Sequence, residues 1–414
     1  MLHFPARCGR YRAQAGIRRP ISSALQVFGT ANQLLSPDVN DPWRRHSRPT
    51  AGRGAPSDGR PVLVNNDLRP RTRPPGYRAV TLFYAVNATP GRSETISTGD
   101  STMDQPTPPD GAHGADGFRS GFVALLGRPN VGKSTLLNAL LGERVAPTNP
   151  KPQTTRRRLR GILTSPEHQI VFIDTPGFHE PQDNLGSHLV AAARSAVTQS
   201  DAVLLLWDAR EVLPVDLELL ELVRSARRPL VLGLNKVDLL ENATPDGPLP
   251  DPPPEAVAAI AEFGLRLSAL NSVGLSELVA RLAALLPEGP LYYDPEQITA
   301  EPLRELAAEF IREAALDCLH QEVPYALEAR IEEFAPRSAE LTFIAARLFV
   351  ERDSQVGIVV GRGGERLRKI GTLARSLLEE LLETQVYLDL RVKVKPKWRK
   401  DESALREFGY HRQG

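Results

Sequence analysis

Cysteine is almost missing from this sequence: Cys8 and Cys318 are the only two in 414 residues. Two thiols in different segments cannot build a disulfide framework, which fits a reducing compartment. No stretch reaches the roughly 18 consecutive apolar residues that a membrane-spanning helix needs, so that class is excluded. Methionine is equally scarce, with Met1 and Met103 the only two. Lysine does not occur in residues 1–102, where fifteen Arg face six acids, a net +9. The whole chain carries +1, so the remainder carries −8. The overall balance by itself implies no partner. The length allows two or three domains.

The basic stretch differs from the rest of the chain. It is rich in Arg, Pro, Gly and Ser, and its apolar runs, "RPVLVNN" and "AVTLFYAV", are short. No acid precedes Asp38. Residues 1–116 therefore read as a low-complexity extension. Four readings stand side by side: a disordered segment, an organelle transit peptide, a basic nucleic-acid-binding arm, or sequence upstream of a working start at Met103.

What the chain does contain begins with "GFVALLGRPNVGKSTLLNALLG" at Gly121. Phe122–Leu126 reads as a buried strand, and Leu136, Leu137 and Leu140 mark a helix. Between them lies G-x-x-x-x-G-K-S, made by Gly127, Arg128, Pro129, Asn130, Val131, Gly132, Lys133 and Ser134. A strand–loop–helix context is what a phosphate loop requires. Its backbone N–H groups wrap α- and β-phosphates, Lys133 reaches the β/γ-phosphates, and the Ser134 hydroxyl suits Mg²⁺.

The base is read elsewhere. "LVLGLNKVDLL" is an apolar strand, Leu230–Leu234, ending in Asn235, Lys236, Val237 and Asp238. A carboxylate at Asp238 can accept from guanine N1–H and N2–H₂, a donor pair that adenine lacks. Asn235 ties this loop to the phosphate loop, and the Lys236 stem covers the base. In "LSAL", Ser268 and Ala269 supply a backbone N–H for guanine O6. "QIVFIDTPGF" adds a strand, Ile170–Ile173, followed by Asp174, Thr175, Pro176, Gly177 and Phe178. Asp174 suits the metal's surroundings, and the Gly177 N–H can read a γ-phosphate. In "NPKPQTTRRRLRG", Thr154 or Thr155 closes over Mg²⁺ as a switch. Arg156–Arg158 reads as a solvated face or an RNA contact rather than a catalytic finger. Phe178 stands where Ras-like enzymes place a water-orienting glutamine. It cannot orient water by hydrogen bonding, so intrinsic hydrolysis should be slow. His179 reads as a bystander.

A proline-rich stretch, "ATPDGPLPDPPPE" at 243–255, reads as an exposed loop insertion. "LPEGPLYYDPEQIT" resembles a linker. Beyond it Leu303, Leu306, Ala307, Phe310, Ile311, Ala314 and Cys318 share a helical face, which makes Cys318 a core residue. "ALEARIEEF" and "LTFIAARLFVE" read as strands. A short helix near Gln355–Val360, a second helix through Leu367, Ile370, Ala374, Leu377 and Leu381, and the strand "VYLDLRVKVK" complete an order α-β-β-α-α-β. Between the two helices lies a second glycine turn, Gly361, Arg362, Gly363 and Gly364.

That order with a G-x-x-G turn resembles a type II KH domain, an RNA-binding module. The resemblance assigns RNA contacts to Gly361–Gly364 and, with the basic residues beside them, to Arg366, Lys369, Lys393 and Lys395. The five segments GRPNVGKS, QTTRR, DTPG, NKVD and LSA resemble translation-factor-like GTPases, and more closely the Era family, over roughly residues 119–414. The tail "KVKPKWRKDESALREFGY" resembles that family too. The expected fold is an α/β P-loop GTPase domain at 117–289, with a mostly parallel sheet and helices on both faces. A linker at 290–300 leads to an α+β type II KH domain with a basic tail at 301–414. The resemblance favours Thr155 over Thr154 as the switch residue and assigns Lys133, Thr155 and Gly177 to catalysis. It places Ser134, Thr155 and Asp174 around Mg²⁺, and implies GTP and GDP as ligands. Asn130 matches a position that in related GTPases helps hold K⁺ in place of an arginine finger. The family further implies binding to 16S rRNA near its 3′ end, action in 30S subunit assembly and rRNA processing, and a monomeric, cytoplasmic protein. Peripheral association with the inner face of the cell membrane comes from the resemblance alone, and the basic extension leaves organelle import open. Two other readings compete. A GTPase partner in tRNA modification calls for a helical domain and a cysteine near the C-terminus, and neither is visible. An RNA-binding module with an idle GTPase scaffold is separated from a switch by multiple-turnover hydrolysis.

Overall fold

The computed structural model describes residues 117–151, 154–240 and 250–410. The readings of the N-terminal extension lie outside them, as does most of the proline-rich insertion. The first domain is built on a six-stranded sheet. Its strands are β1 (Arg119–Leu126), β2 (Leu159–Thr164), β3 (His168–Asp174), β4 (Ala202–Asp208), β5 (Leu230–Asn235) and β6 (Gly264–Arg266). They lie in the order β2-β3-β1-β4-β5-β6. β2 runs antiparallel to β3, and the other pairings are parallel.

Parallel strands covered on both faces carry unbroken apolar runs, and every residue of β4 is buried. The helices are α1 (Lys133–Leu141), α2 (Asn184–Gln199), α3 (Pro214–Ser225), α4 (Pro254–Phe263) and α5 (Leu275–Leu285). On one face Val123, Leu125 and Phe172 pack with Leu136 of α1 and Leu278 of α5. On the other, Phe122, Ala124 and Leu205 pack with Ala193 of α2, Leu219 of α3 and Ala256 of α4. Because β1, β3, β4 and β5 run the same way, their carboxyl ends open on one edge. Ligands of open α/β sheets bind at that edge.

The chain then runs along β2 rather than hanging free. Ile162 N donates to Ile298 O at 2.8 Å, and Ala300 N to Arg160 O at 3.2 Å. Tyr292 N and Tyr293 N both donate to the Gln169 carboxamide.

The second domain comprises α6 (Leu303–Cys318), β7 (Glu328–Pro336), β8 (Leu341–Val350), α7 (Asp353–Val360), α8 (Glu365–Leu382), β9 (Gln385–Val394) and α9 (Glu402–Glu407). Its sheet has the order β7-β8-β9, antiparallel between β7 and β8 and parallel between β8 and β9. A parallel neighbour needs a crossover, and α7 with α8 supplies it. Strand alternation buries Ile344, Ala346, Val386 and Leu388 with Ile311 of α6 and Ile370 and Ala374 of α8. Cys318 is buried in this cluster. The same cluster continues into Val145, Ala146 and Leu159 of the first domain.

The C-terminal segment closes the interface from the other side. Trp398, Leu405, Phe408 and Tyr410 pack with Leu185 and Leu189 of α2. Here the expectation for Arg156–Arg158 is corrected. Arg156 is buried and donates to Leu327 O at 2.6 Å, Tyr325 O at 2.8 Å and the Glu328 carboxylate at 2.9 Å. Arg157 donates to Phe408 O and pairs with Glu305. Arg158 donates to Ala192 O and Gln199, and burial presses its guanidinium down to about 10. Three adjacent cations look solvated in sequence. The fold brings Glu305, Glu309 and Glu328 to meet Arg156 and Arg157 from far along the chain, and α2 takes Arg158. The Tyr410 hydroxyl also donates to Glu328, at 3.0 Å.

Removing one member of a buried ion pair strands the other charge, at a cost of about 3–5 kcal/mol. Arg156→Met should therefore lower the unfolding midpoint in urea strongly, and adding Glu328→Gln should recover most of the loss. A single variant as stable as the double would show that the pair does not hold the domains together.

Candidate functional site

The edge at the strand ends gathers the predicted segments. Between β1 and α1 the loop turns through Gly127 at φ 151°, Asn130 at φ 63° and Gly132 at φ 102°. A Cβ on Gly132 would lie 2.4 Å from Asn235 Nδ2, so this position has room for glycine alone. Lys133 opens α1 and is buried. Its Nζ donates to Gly127 O at 3.0 Å and Arg128 O at 3.1 Å. Burial presses the ammonium down to about 8, while Asp174 works the other way. The loop surrounds a cavity of about 350 Å³, lined by Asn130, Lys133, Ser134, Thr155, Gly177 and Lys236 among others.

Three oxygens converge on one side of it. Ser134 Oγ lies 2.8 Å from both Thr155 Oγ1 and Asp174 Oδ2, and Thr155 Oγ1 lies 3.4 Å from Asp174 Oδ2. Asp174 Oδ1 is buried with no hydrogen-bond partner. Burial raises the Asp174 carboxyl above its usual range, against the lowering from Lys133 and the two hydroxyls. An orphaned carboxylate oxygen beside two hydroxyls is a hard-oxygen set of the kind that suits Mg²⁺. Of the two candidate threonines, Thr155 reaches this point. Thr154 Oγ1 is spent on Lys151 O at 2.6 Å and Asn149 O at 3.2 Å.

The segment after β3 packs directly on the phosphate loop. A Cβ on Gly177 would lie 2.7 Å from Pro129 Cα. Phe178 N donates to Gly127 O at 3.2 Å, and the Phe178 ring is buried in the apolar cluster. The Thr175 hydroxyl is likewise turned inward, donating to Leu125 O at 2.6 Å. Thr175, Val131 and Val237 thus place their side chains in the core, and Val237 N donates to Leu267 O at 3.2 Å.

The end of β5 supplies the base-reading loop. Asn235 Nδ2 donates to Val131 O at 2.8 Å, joining this loop to the phosphate loop. Asn235 Oδ1 accepts from Ala269 N at 3.0 Å. The Ala269 N–H, expected to face a guanine oxygen, is thereby engaged by Asn235. Asp238 Oδ1 accepts from Ser268 Oγ at 2.5 Å, which orients the carboxylate. Lys236 takes a left-handed backbone, φ 69°, and its Nζ pairs with Asp208 at 2.9 Å.

Asp208 was not singled out in the sequence. It ends β4, is buried, and also pairs with Arg210 at 2.7 Å. Burial works to raise its pKa, but hydrogen bonds from Arg210 and Lys236 outweigh it and hold the carboxyl well below its usual range. A carboxylate ending an apolar strand at the ligand edge was the available signal. Asn138 was also missed. It fixes the exit of α1, accepting from Val145 N and Ala146 N and donating to Ala146 O.

The second glycine turn lies between α7 and α8. Gly361, Gly363 and Gly364 all have positive φ, 73°, 59° and 79°. Nothing lies within 4 Å of a Cβ on Gly363, and Gly363 and Arg362 are exposed. Arg366 donates to Ile358 O at 2.5 Å, tying the end of α7 to the start of α8. Lys369 and Lys393 are exposed. Lys395 is paired with Glu407 and lies 5.0 Å from the Phe408 ring centre, so its charge is matched inside the chain.

Comparison with known proteins gives these features a family. Residues 122–236 match the family model described as 50S ribosome-binding GTPase, and residues 322–399 match the KH domain. GTPase Era of Rippkaea orientalis is 44% identical over 298 residues, covering 71% of this chain and 93% of that protein. GTPase Era of Thermotoga maritima is 43% identical over 296 residues, covering 70% and 97%. Among solved structures, Era in complex with MgGDPNP and nucleotides 1506–1542 of 16S ribosomal RNA is 36% identical at a TM-score of 0.65. That likeness covers 71% of this chain and 99% of that one. A single-site variant of Aquifex aeolicus Era bound to GDP.AlF4- is 37% identical at the same TM-score and coverage. With its phosphate loop, its guanine-type loop and a KH domain on one chain, this protein belongs to the Era family of GTPases.

Proposed function

We propose that this chain is a GTP-hydrolysing switch that binds 16S rRNA near its 3′ end through the second glycine turn and acts in 30S subunit assembly and rRNA processing. One observation carries the reading. The segment around Thr155 touches the phosphate site on one side and the domain bearing the glycine turn on the other. A change at the phosphate site therefore has a mechanical route to the RNA-binding domain. The solved Era complex, with a GTP analogue and an rRNA segment together, supports the pairing of ligands.

In this reading the N–H groups of residues 127–134 receive the α- and β-phosphates, and the buried Lys133 ammonium turns from the loop carbonyls to the phosphates. Ser134, Thr155 and Asp174 would hold Mg²⁺, which when bound supplies positive charge against the phosphate oxygens. The Gly177 N–H faces the γ-phosphate. The Phe178 ring points into the core, so no side chain there orients water, and unassisted hydrolysis is slow. Asp238, held by Ser268, reads the guanine edge, and Asp208 steadies Lys236 over the base. Residues 117–289 and 301–414 are the two working units. Among the described residues no helix is long and apolar enough to cross a membrane. Family resemblance supports a cytoplasmic monomer that touches the membrane surface peripherally.

Two experiments test it. Asp238→Asn replaces an acceptor with an amide, so GTP should lose its advantage and xanthosine triphosphate should gain it. Competition binding in which GTP preference persists would remove Asp238 from base reading. Gly363→Asp with Arg362→Asp puts carboxylates where an RNA phosphate is expected. RNA affinity should fall and its salt dependence should become shallower, because fewer cations are released, while GTP affinity holds. Titration of a single-stranded fragment from the 16S 3′ end at several salt concentrations measures this. Unchanged affinity would reduce the turn to a helix connector.

A further inference from the structure

The threonine that completes the three-oxygen cluster sits on a segment with little local support of its own. Thr154 and Thr155 precede β2 and belong to no helix or strand. The Thr154 hydroxyl is consumed by Asn149 O and Lys151 O. First-domain anchors are Asn130, which donates to Pro150 O at 2.7 Å, and α2, whose Ala192 O and Gln199 accept from Arg158; the anchors on either side of Thr155 come from the second domain. Arg312, on α6, is buried and donates to Thr154 O and to the Glu309 carboxylate. On the other side of Thr155, Arg156 is held by Tyr325 O, Leu327 O and Glu328. Thr155 is thus bracketed between two residues whose bonds lead into the second domain.

The bracket continues upstream. Lys151 Nζ donates to Leu316 O and to Leu319 O at the end of α6. Asn149 donates to Asp317 at 2.6 Å. Glu313, one residue after Arg312, accepts from Thr148 N at 3.1 Å and from Arg144 at 2.7 Å. One helix of the second domain therefore meets Arg144, Thr148, Asn149, Lys151 and Thr154.

We propose that Arg312 is a positioning residue for GTP hydrolysis. By fixing the Thr154 carbonyl from α6, it sets the Thr155 hydroxyl against Ser134 and Asp174. The inference rests on the GTPase reading above. It adds that the phosphate site is incomplete without a cation from the other domain. Arg312 acts through the Thr154 carbonyl. Its effect is confined to states that need Thr155, which are the triphosphate and its Mg²⁺. GDP binding leans on the phosphate loop and the base loop, whereas the Arg312 bonds go to Thr154 O and Glu309.

The test compares Arg312→Met and Arg312→Lys in the full chain. Glu309→Gln is added to the methionine variant so that no buried carboxylate is stranded. The bond lost is one to a charged donor, so the preference for a non-hydrolysable GTP analogue over GDP should fall about tenfold in the methionine variant. The Mg²⁺ concentration for half-maximal single-turnover hydrolysis should rise, with GDP affinity unchanged. In nucleotide-free protein, trypsin should cut faster at Arg156–Arg158. Arg312→Lys keeps a donor and should recover part of each effect. An unchanged GTP-to-GDP preference in folded variants would overturn the proposal, as would a lysine variant no better than the methionine one. Should Arg312→Met not fold, Lys151→Ala tests the same clamp from the switch side. It should shift the preference in the same direction, and no shift would again overturn the idea. A wild-type chain that does not bind GTP would instead defeat the GTPase reading itself.

Discussion

The position of the Thr155 hydroxyl is the constraint on which the two halves of this molecule converge. Ser134 and Asp174 are fixed by the first domain alone, one at the start of α1 and one at the end of β3. Thr155 is not. The residues on either side of it are bonded to the second domain, Thr154 O to Arg312 and Arg156 to Leu327 O and Glu328, so the oxygen cluster and the domain contact share one short segment. The docking is in turn sustained by an apolar cluster that crosses the boundary and by a buried Arg–Glu pair. Hydrophobic burial sets the strength of this contact, and the ion pairs set its register. Buried charges find one low-energy arrangement, because any other leaves them unpaired at several kcal/mol.

The phosphate loop and the base loop were legible because their chemistry is local. Glycine is favoured where the loop turns through φ 151° at Gly127 and where Gly132 passes close to Asn235, and those demands appear directly in G-x-x-x-x-G-K-S. The parallel sheet was legible from its unbroken apolar strands, and the KH order from the switch between helical and alternating periods. The Arg156–Arg158 run was not. The carboxylate partners of Arg156 and Arg157, which are Glu305, Glu309 and Glu328, lie more than a hundred residues away, and no local period links them. The pairing of Lys395 with Glu407 was not legible either, since Glu407 meets it only after the chain has folded back. Asp208 could have been found as a strand-end carboxylate at the ligand edge. The use of the Ala269 N–H by Asn235 could not, since a backbone donor leaves no mark in sequence.

The Asn235 carboxamide shows economy of a different sort. It donates to the phosphate loop and accepts from the loop at Ala269, so three segments share one side chain. Such a strap limits how far the base loop can drift from the phosphate loop, and it keeps the edge of the sheet ordered for a ligand that touches both.

The closure of the interface by Trp398, Phe408 and Tyr410 has a consequence for biosynthesis. Domains fold as units while the chain is being made, the N-terminal one first. The first domain can assemble its sheet as soon as α5 has emerged. Arg156 must then wait for Glu328, and Glu328 must wait for the hydroxyl of Tyr410, more than eighty residues later in the chain. During that interval a nascent first domain carries the arginine run and the apolar surface of α2 uncovered. The segment around Thr155 is therefore fully seated only once Tyr410 has been made, and until then the emerging chain exposes charge and apolar surface that the folded protein covers.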